Sequence, residues 1–508
     1  MKGFAMAMSL ACTLVIGTAA VGPGLAWADD DDVRLVDMIP KSRSGETNQD
    51  AEPTITVNPT EPSRMAGSAF TWDNLSGGPM VTATAPIYVS KDGGKTWVLA
   101  YIVPSMAGAG FPTGDITLSF AARSTEHHEH PPSRLYGGTL SSAQPGRPMT
   151  VLGTADPFAA TLMATLDTHT GNVDQPHTIA QTSGAKQDKL YVGFNNGYGC
   201  VAPMGRSSTV DVSPDGSVSA PTFSLDVIDS RPTSCQDGFA QVPAVRPDGT
   251  VYAAFIHDWS GTPRLVVVRD DHFAAGATPF TALTDPSDSK VGRFVTGPVV
   301  LPFGLMGQNR LGASNVSIAV DPRHSDRVYV AWGDSCGVDC ETIHLRRSVN
   351  RGKDWSTSDL LTVANAMNPE VAISGHCVVG VLYQSDVAGR WETHFVRSKN
   401  REGTEFDTPG ILLASQDDST PSVTYYPYIG DYASLVSVDD RFHGMFSASN
   451  YPDKHNFLRG VKFQREVDWA AHKLYADAAH TLEVAPSIDP FYFQAEARDR
   501  CDHDHDHD

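Results

Sequence analysis

Carboxylate and amide side chains recur at one position of this sequence, just before segments that read as strands. Aligning those segments places four polar residues in one column: Glu52, Asp115, Asn315 and Asn368. Three more acids lie within a few residues of equivalent positions: Asp237, Glu370 and Asp431. Converging carboxylates shift one another's pKa, as acid–base catalysis requires, or hold a divalent cation. We predict that the five acids are catalytic and that the two asparagines bind substrate; capping of strand ends is the alternative.

An aromatic stretch, "YYPYIGDYASL" (425–435), is the second candidate site. Four tyrosines surround a Gly-Asp turn, which places Tyr428 near Asp431. The alternative to a reactive tyrosine is an aromatic shelf that stacks a sugar or closes the fold.

Two histidine clusters could bind metal. "EHHEH" (126–130) could direct Glu126, His128 and His130 to one side of an extended loop, although a solvated loop is the alternative. The tail "RCDHDHDHD" offers His503, His505 and His507 between aspartates and would bind Zn²⁺ loosely as a low-complexity segment. No cofactor is required by the sequence; Ca²⁺ or Zn²⁺ is the divalent cation that these residues suggest.

The elements that must position these residues form a repeat. Alternating Val, Ile, Thr and aromatic residues, separated by Gly, Pro, Asp and Asn, indicate an all-β chain. "EPTITVNPTEPSRMAGSAFTW" (52–72) closely matches "NVSIAVDPRHSDRVYVAWGD" (315–334). Looser copies bring the total to seven, and the copies begin near residues 52, 115, 177, 239, 315, 368 and 433.

Repeats of this length, with two strong strands followed by two weaker ones, predict a β-propeller of four-stranded blades. Seven blades are preferred, and six would result if the seventh copy completed the sheet of the first. Inner strands would then line a channel, and the column of polar residues would lie at its mouth. The predicted organisation is a signal peptide (1–28), a flexible acidic segment (29–48), one propeller (49–495) and a disordered tail (496–508).

One turn sequence indicates which kind of propeller this is. "SKDGGKTW" (90–97) follows "APIYV" and precedes "VLAYIV", so it joins two outer strands. "SVNRGKDW" (348–355) is a partial copy, and "SKNREGTEF" (398–406) is a longer, eroded one. The complete copy resembles the Asp-box of sialidase-type BNR propellers. The predicted structural Asp-box residues are Ser90, Asp92, Gly94, Thr96, Trp97, Ser348, Asn350, Gly352 and Trp355.

The resemblance implies glycan chemistry at the channel mouth, away from the boxes. Sialidases use three arginines, an aspartate acid–base and a tyrosine nucleophile activated by a glutamate. Glu370 and Tyr428 have that order along the chain, with Arg390 and Arg397 between them as predicted substrate-binding residues. However, the Arg-Ile-Pro-type motif of the family is missing around Arg64. The chain therefore departs from true sialidases.

The net charge and the cysteine content limit which partners and which cellular compartment are plausible. The formal charge of −21 argues against nucleic acid or anionic lipid as a partner. The apolar leader ending Ala26-Trp27-Ala28 predicts a secreted or periplasmic protein, and no later run is long enough to span a membrane. Oxidising conditions favour disulfides, for which we pair Cys336 with Cys340 and Cys200 with Cys235. Cys377 and Cys501 are left unassigned.

Three functions follow from these residues. The leading hypothesis is a secreted, monomeric, glycoside hydrolase-like propeller that acts on a glycan or another extracellular substrate. The first alternative is a non-catalytic propeller that binds a glycan or a protein. The second is a metal-dependent enzyme or metal-binding propeller.

Overall fold

Strands make up nearly all the regular structure, as the alternating sequence predicts. The computed structural model describes residues 33–72, 84–103, 113–121, 133–141, 147–159, 163–183, 187–200, 205–301, 304, 306, 315–417 and 429–497. The predictions that fall outside these residues concern the signal peptide, the tail beyond residue 497, Tyr428 and the metal candidates His128, His130, His503, His505 and His507. The described residues belong to a compact unit that begins at Val33.

Five separate sheets each contain four consecutive antiparallel strands. The first three sheets are formed by β6 (Thr113–Phe120), β7 (Leu135–Ser141), β8 (Met149–Thr154) and β9 (Ala164–His169); by β10 (Asp174–Ser183), β11 (Gln187–Asn195), β12 (Ser208–Ser213) and β13 (Ser224–Val227); and by β14 (Gln241–Val245), β15 (Val251–His257), β16 (Arg264–Asp270) and β17 (Arg293–Pro298).

The next two sheets follow the same order. They are formed by β18 (Val316–Val320), β19 (Val328–Gly337), β20 (Cys340–Ser348) and β21 (Leu361–Ala364), and by β22 (Ala366–Ile373), β23 (Val379–Asp386), β24 (Arg390–Arg397) and β25 (Ile411–Asp417).

A sixth, eight-stranded sheet divides into two runs of four strands. The first run contains β2 (Gln49–Val57), β3 (Met65–Trp72), β4 (Ala85–Ser90) and β5 (Val98–Val103). The second contains β26 (Ser434–Val438), β27 (Arg441–Ser449), β31 (Ile488–Glu496) and β1 (Val33–Asp37). A single parallel pair, Gln49 with Ile488, joins the two runs. We call each run of four strands a blade and its first strand the inner strand.

The inner strands of neighbouring blades pack in a cycle. Contacts run from β2 to β6, β10, β14, β18, β22 and β26, and β26 returns to β2. The prediction of an all-β propeller of four-stranded blades is confirmed. Seven blades stay a prediction, which the seven runs among the described strands support.

Backbone-to-hydroxyl hydrogen bonds connect several inner strands. In each case a Thr or Ser hydroxyl accepts the backbone N–H of a residue on the next blade, at 2.9–3.2 Å. The pairs are Thr54 with Leu118, Thr117 with Thr178, Ser317 with Val371, and Ser434 with Ile55. The hydroxyls thereby satisfy donors that the sheet itself leaves open.

The hydrophobic core is divided among the gaps between blades. One cluster combines Leu382 and Phe395 from the blade of β22–β25 with Phe442, Phe491 and Phe493 from the last blade. Further clusters join the blade of β14–β17 to that of β18–β21, and the latter to that of β22–β25. Each buried aromatic contributes roughly 1.5–3 kcal/mol, so blades stabilise one another through their faces.

The remaining elements are short. A three-stranded sheet of β28 (Glu466–Asp468), β29 (Lys473–Tyr475) and β30 (Glu483–Val484) is inserted between β27 and β31. Short 3₁₀ turns in the described part of the chain include Lys41–Arg43, Tyr198–Cys200 and Lys454–Asn456. No helix in the described part of the chain is long and apolar enough to cross a membrane.

Two sequence predictions have outcomes at this level. The disulfides Cys200–Cys235 and Cys336–Cys340 are present, as predicted. The flexible segment 29–48 needs correction, because Val33–Asp37 forms β1 and pairs along β31 from Val33 with Ala495 to Asp37 with Phe491. The sequence "VRLVD" contains the valines and leucine typical of a strand. The acidic residues that precede it led to the prediction of a flexible segment.

Candidate functional site

Bulges interrupt the inner strands near their beginnings. The register of β2, β6, β10 and β22 shifts at Ala51/Thr54, Thr113/Asp115, Asp174/His177 and Met367/Glu370. Inside three of these bulges a polar residue with positive φ precedes a proline: Glu52 (φ 54°), Gln175 (φ 46°) and Asn368 (φ 53°). Such backbone is strained for these residues, and bulges of this kind re-aim side chains at functional sites.

The bulges and the segment before β26 bring a set of polar residues together, which we call the entrance cluster because it lies where inner strands begin. The cluster consists of Glu52, Asp115, Asp174, Gln175, Asp431 and Tyr432. The Tyr432 hydroxyl donates to Oδ1 of Asp115 (3.2 Å), and Nε2 of Gln175 donates to Oδ2 of Asp431 (3.1 Å). Both bonds join blades that are distant in sequence.

A glycine permits this convergence. Gly430 has φ +93°, and a Cβ on it would lie 2.6 Å from the backbone nitrogen of Glu52. Only glycine lets the chain before β26 pass so close to β2 and still place Asp431 and Tyr432 beside the bulges.

Burial and neighbouring charge set the protonation of the cluster. Burial raises the pKa of Asp174 to about 8; Arg147 opposes this shift, whereas the carboxylates of Asp115 and Asp431 add to it. Burial, followed by the charges of Asp115 and Glu52, raises the pKa of Tyr432. At neutral pH the cluster therefore contains a protonated Asp174 carboxyl and a neutral Tyr432 phenol beside further acidic side chains.

A single arginine among the described residues is paired with this cluster. Nη2 of Arg147 lies 2.7 Å from Oδ1 of Asp174, and its guanidinium stacks 3.7 Å from the ring centroid of Tyr198. These contacts fix the Asp174 carboxyl in place. They also leave Arg147 committed to a protein carboxylate.

The neighbouring imidazole is neutral. His177 follows Gln175 on β10, and its ring centroid lies 5.5 Å from that of Tyr432. Burial lowers the pKa of His177 to about 4, against the opposing charge of Asp115.

The structure brings together three of the predicted catalytic acids, Glu52, Asp115 and Asp431, but not the other two. Asp237 accepts backbone hydrogen bonds from Ser207, Ser208 and Asp258 at 2.9–3.0 Å. Burial opposes its ionisation, but its hydrogen bonds from His257 and from these amides outweigh burial and lower its pKa. Asp237 thus caps a turn, the alternative stated for the column.

Glu370 lies on β22 at the bulge, and its described hydrogen bond goes to Ser317 rather than to the entrance cluster. It accepts a hydrogen bond from the Ser317 hydroxyl (2.9 Å), and burial raises its pKa to about 8. Its catalytic role stays a prediction with no carboxyl partner in these contacts.

The predicted substrate-binding residues have structural partners. The backbone N–H of Asn368 donates to Oδ1 of Asn315 (3.1 Å), and the side-chain Nδ2 of Asn368 donates to the carbonyl of Gly430 (3.2 Å). Arg390, on β24, donates hydrogen bonds to the side chains of Ser415 and Asn456. Arg397, on the same strand, has its Nε 3.9 Å from Oδ2 of Asp407. This placement gives no support to substrate binding by the two arginines.

The predicted Asp-box turns have one hydrogen-bond pattern. Ser90 Oγ accepts the Gly94 N–H (2.9 Å), while Asp92 accepts from the Thr96 amide (2.9 Å) and hydroxyl (2.6 Å). Trp97 is buried and packs edge-on against Tyr492.

The second turn repeats this pattern with an asparagine in place of the aspartate and an aspartate in place of the threonine. Ser348 Oγ accepts the Gly352 N–H, and Asn350 accepts the Asp354 N–H (2.8 Å) and donates to the Asp354 carboxylate (2.8 Å). Trp355 is half-buried beside it. These contacts give the turn residues structural roles remote from the entrance cluster.

Two other groups of described residues have ligand-type atoms within 4.8 Å of one another: Asp321, His324 and Cys377, and Asp229, Asp237 and His257. Cys377 is disulfide-bonded, so its sulfur is not a free thiolate ligand. His257 is engaged by Asp229 through Nδ1 at 2.7 Å. The predicted divalent cation stays a prediction.

Sequence reasoning missed Arg147, Asp174, Gln175, His177 and Tyr432. A signal for two of them was present, because "DQPHTI" carries the same polar-Pro pair as "EPTI" and "NPEV". The third repeat was aligned from His177, two residues too late to include Gln175. Nothing local in the sequence marks Arg147.

Comparison with known proteins gives distant likenesses only. Neither a protein-family model nor a curated protein matches the sequence. An α-L-arabinofuranosidase from Fusarium graminearum is 10% identical, with 91% of this chain and 97% of that chain covered and a TM-score of 0.42. An ulvan lyase is 10% identical (81% and 93% covered, TM-score 0.48), and the NanB sialidase from Streptococcus pneumoniae is 10% identical (90% and 70% covered, TM-score 0.37). These likenesses carry no conclusion about the chemistry of this chain.

Proposed function

We propose that the protein is a secreted, glycoside hydrolase-like propeller that cleaves a glycosidic bond at the entrance cluster. One feature carries the proposal: the buried carboxyl groups of Asp115, Asp174 and Asp431, from three blades, converge in the entrance cluster, and burial, with the charges of Asp115 and Asp431 adding to it, raises the pKa of Asp174 to about 8. Glycoside hydrolysis requires a protonated carboxyl together with an ionised one.

The roles follow from the contacts. Asp174 would donate its proton to the leaving glycosidic oxygen, and Arg147 would hold the carboxyl in position. Asp115, whose carboxylate accepts the Tyr432 hydroxyl, would take the proton of the attacking water. The water oxygen would bond to the anomeric carbon as the bond to the leaving sugar breaks, and the Asp174 proton would finish on the new hydroxyl.

Charge favours an uncharged sugar over an anionic one. Among the described residues, the contacts of the cluster include four carboxyls and one guanidinium, and that guanidinium is already paired with Asp174. A sialic acid or uronate carboxylate would meet these carboxyl groups with no arginine available, in the described part of the chain, to pair with it.

A non-catalytic binding propeller is the second candidate. Glu52, Asp115, Asp174 and Asp431 are each at most 5% exposed. Acids this buried can serve a structural role, as Asp237 does when it accepts backbone hydrogen bonds.

The two candidates are separated by substitution. We expect the wild-type protein to release reducing sugar from members of a panel of neutral polysaccharides and aryl glycosides. Asp174→Asn and Asp115→Asn should each lower kcat by roughly 10²–10⁴-fold, while Asp92→Asn, in the remote turn, should leave it unchanged. Turnover that survives both substitutions would overturn the assignment. Glycan binding without wild-type turnover would identify the binding propeller.

A further inference from the structure

A second buried cluster lies where the N-terminal strand joins the ring. Strand β1 completes the last blade, and the chain then crosses to β2 to begin the first blade. Charged residues of β1, the crossing segment and β2 meet Arg465 and Asp489 there, together with a tyrosine of β4. We call this set the closure cluster: Asp37, Arg43, Glu46, Asp50, Tyr88, Arg465 and Asp489.

An ion pair forms the centre of the closure cluster. Arg465 has no exposed side-chain area, and its Nη2 lies 2.7 Å from Oδ2 of Asp489 and its Nε 3.8 Å from Oδ2 of Asp37. Asn450 and Ser487 donate to the two oxygens of Asp489 at 2.8 and 2.7 Å. Asp489 is therefore fully satisfied, and its neighbours are not.

Several buried oxygens of the cluster lack a hydrogen-bond partner. Both carboxyl oxygens of Asp50, Oδ2 of Asp37 and Oε2 of Glu46 are unpartnered, and Asp50 is fully buried. The hydroxyl of Tyr88, also fully buried, is unpartnered and feels the charges of Asp50 and Glu46. An ionised carboxylate in such a place is costly, so these oxygens point to a missing positive ligand.

The charges of the cluster do not balance. Four carboxyls face two guanidiniums, those of Arg43 and Arg465. A metal ion would need three ligand atoms close together, and the two groups of described residues that provide them do not include this cluster. A proton fits better, because it would neutralise one of the buried carboxyl groups whose oxygens lack a hydrogen-bond partner.

We propose that the closure cluster binds protons and that the attachment of the N-terminal strand weakens as pH rises. Protonation removes the surplus negative charge from the buried junction. Deprotonation leaves like charges facing one another between β1, the crossing segment and β2, which favours their separation.

The direction of the pH effect follows from the pKa shifts. Burial, then the neighbouring carboxylate of Asp489, raises the pKa of Glu46 to about 7, and burial also raises the pKa of Asp37 and of Asp50. Their ordinary values lie near ~4. Stability linked to these protons is complete below about pH 4 and is lost as pH rises through about 7 and beyond.

Hydrogen exchange measured by mass spectrometry on the full-length protein tests the proposal. After correction for intrinsic rates, amides of residues 33–50 should lose at least about tenfold of their protection between about pH 5 and about pH 8, since one pKa unit corresponds to a factor of ten. Asp50→Asn and Glu46→Gln should each lessen that loss. Asp326→Asn, at an exposed acid outside the cluster, should not.

Two results would overturn the proposal. One is protection of residues 33–50 that is independent of pH in the wild type, or that falls as much in both cluster variants as in the wild type. The other is a loss that Ca²⁺ abolishes in protein stripped with EDTA, which would make the cluster a cation site. Neither result bears on glycan turnover, so this proposal and the proposed function fail separately.

Discussion

At the scale of single residues, surroundings give the same side chain opposite properties. His177 and His257 both lie on the inner two strands of their blades. Burial without a close carboxylate partner lowers the pKa of His177 to about 4. Burial likewise disfavours the charged form of His257, but hydrogen bonds to Asp229 and Asp237 outweigh it and raise its pKa to about 9.

We therefore predict that these two histidines titrate outside the usual range. In ¹⁵N-histidine-labelled protein, imidazole ¹H–¹⁵N correlations should show His257 charged up to about pH 9 and His177 neutral down to about pH 4. Stability from His257 should be present below its ordinary value of about 6.5 and be lost as pH rises through its folded pKa. Substitution of each histidine by asparagine assigns the signals. Midpoints near ~6.5 for both would refute the prediction.

At the scale of elements, the hydroxyls of inner strands join one blade to the next. Thr117 on β6 is the clearest case, because its Oγ1 accepts the Thr178 N–H (2.9 Å) and donates to the Pro176 carbonyl (2.8 Å). Both partners lie on β10. The hydroxyl therefore provides a hydrogen-bond partner for two buried backbone groups of the neighbouring blade, across a gap that β-sheet pairing does not bridge.

Replacement of this hydroxyl should weaken the interface between β6 and β10. Thr117→Val keeps the side-chain shape but leaves the Thr178 N–H and Pro176 carbonyl without this partner, so the free energy of unfolding should fall by about 1–3 kcal/mol. Thr117→Ser retains the hydroxyl and should lose less. Urea denaturation of the three proteins measures the difference. Equal losses in Val and Ser would assign the effect to packing instead.

At the scale of the whole molecule, the two disulfides whose cysteines both lie among the described residues constrain different lengths of chain. Cys200–Cys235 spans 35 residues and ties the blade of β10–β13 to the connection before β14. Cys336–Cys340 spans 4 residues at the turn between β19 and β20. Loop-closure entropy makes the longer cross-link the more stabilising one.

The double variant Cys200→Ser/Cys235→Ser should therefore lose about 4 kcal/mol of unfolding free energy, and Cys336→Ser/Cys340→Ser about 2 kcal/mol. The second variant is the matched control for loss of a disulfide as such. Denaturant unfolding under non-reducing conditions provides the comparison. A larger loss from the short loop would contradict the entropic argument.

Local physical chemistry made much of this fold predictable from sequence. Alternating apolar residues specify strands, and the hydrogen bonds of Ser90 and Asp92 that define the Asp-box turn join residues only four positions apart. The repeat spacing then gave the blades, and Cys336 and Cys340 were close enough in sequence to pair. Glu52, Asp115 and Asp431 could be identified because each lies close to the start of an inner strand.

Only the tertiary structure decided which polar residues meet and what charge they carry. Asp115 and Tyr432 are 317 residues apart, and the pKa of Asp174 depends on burial and on carboxylates from two other blades. Strand β1 gains its partner β31 from the opposite end of the chain. Sequence determines periodicity and turns because they act over a few residues, whereas burial and charge at the two clusters arise only when distant strands pack.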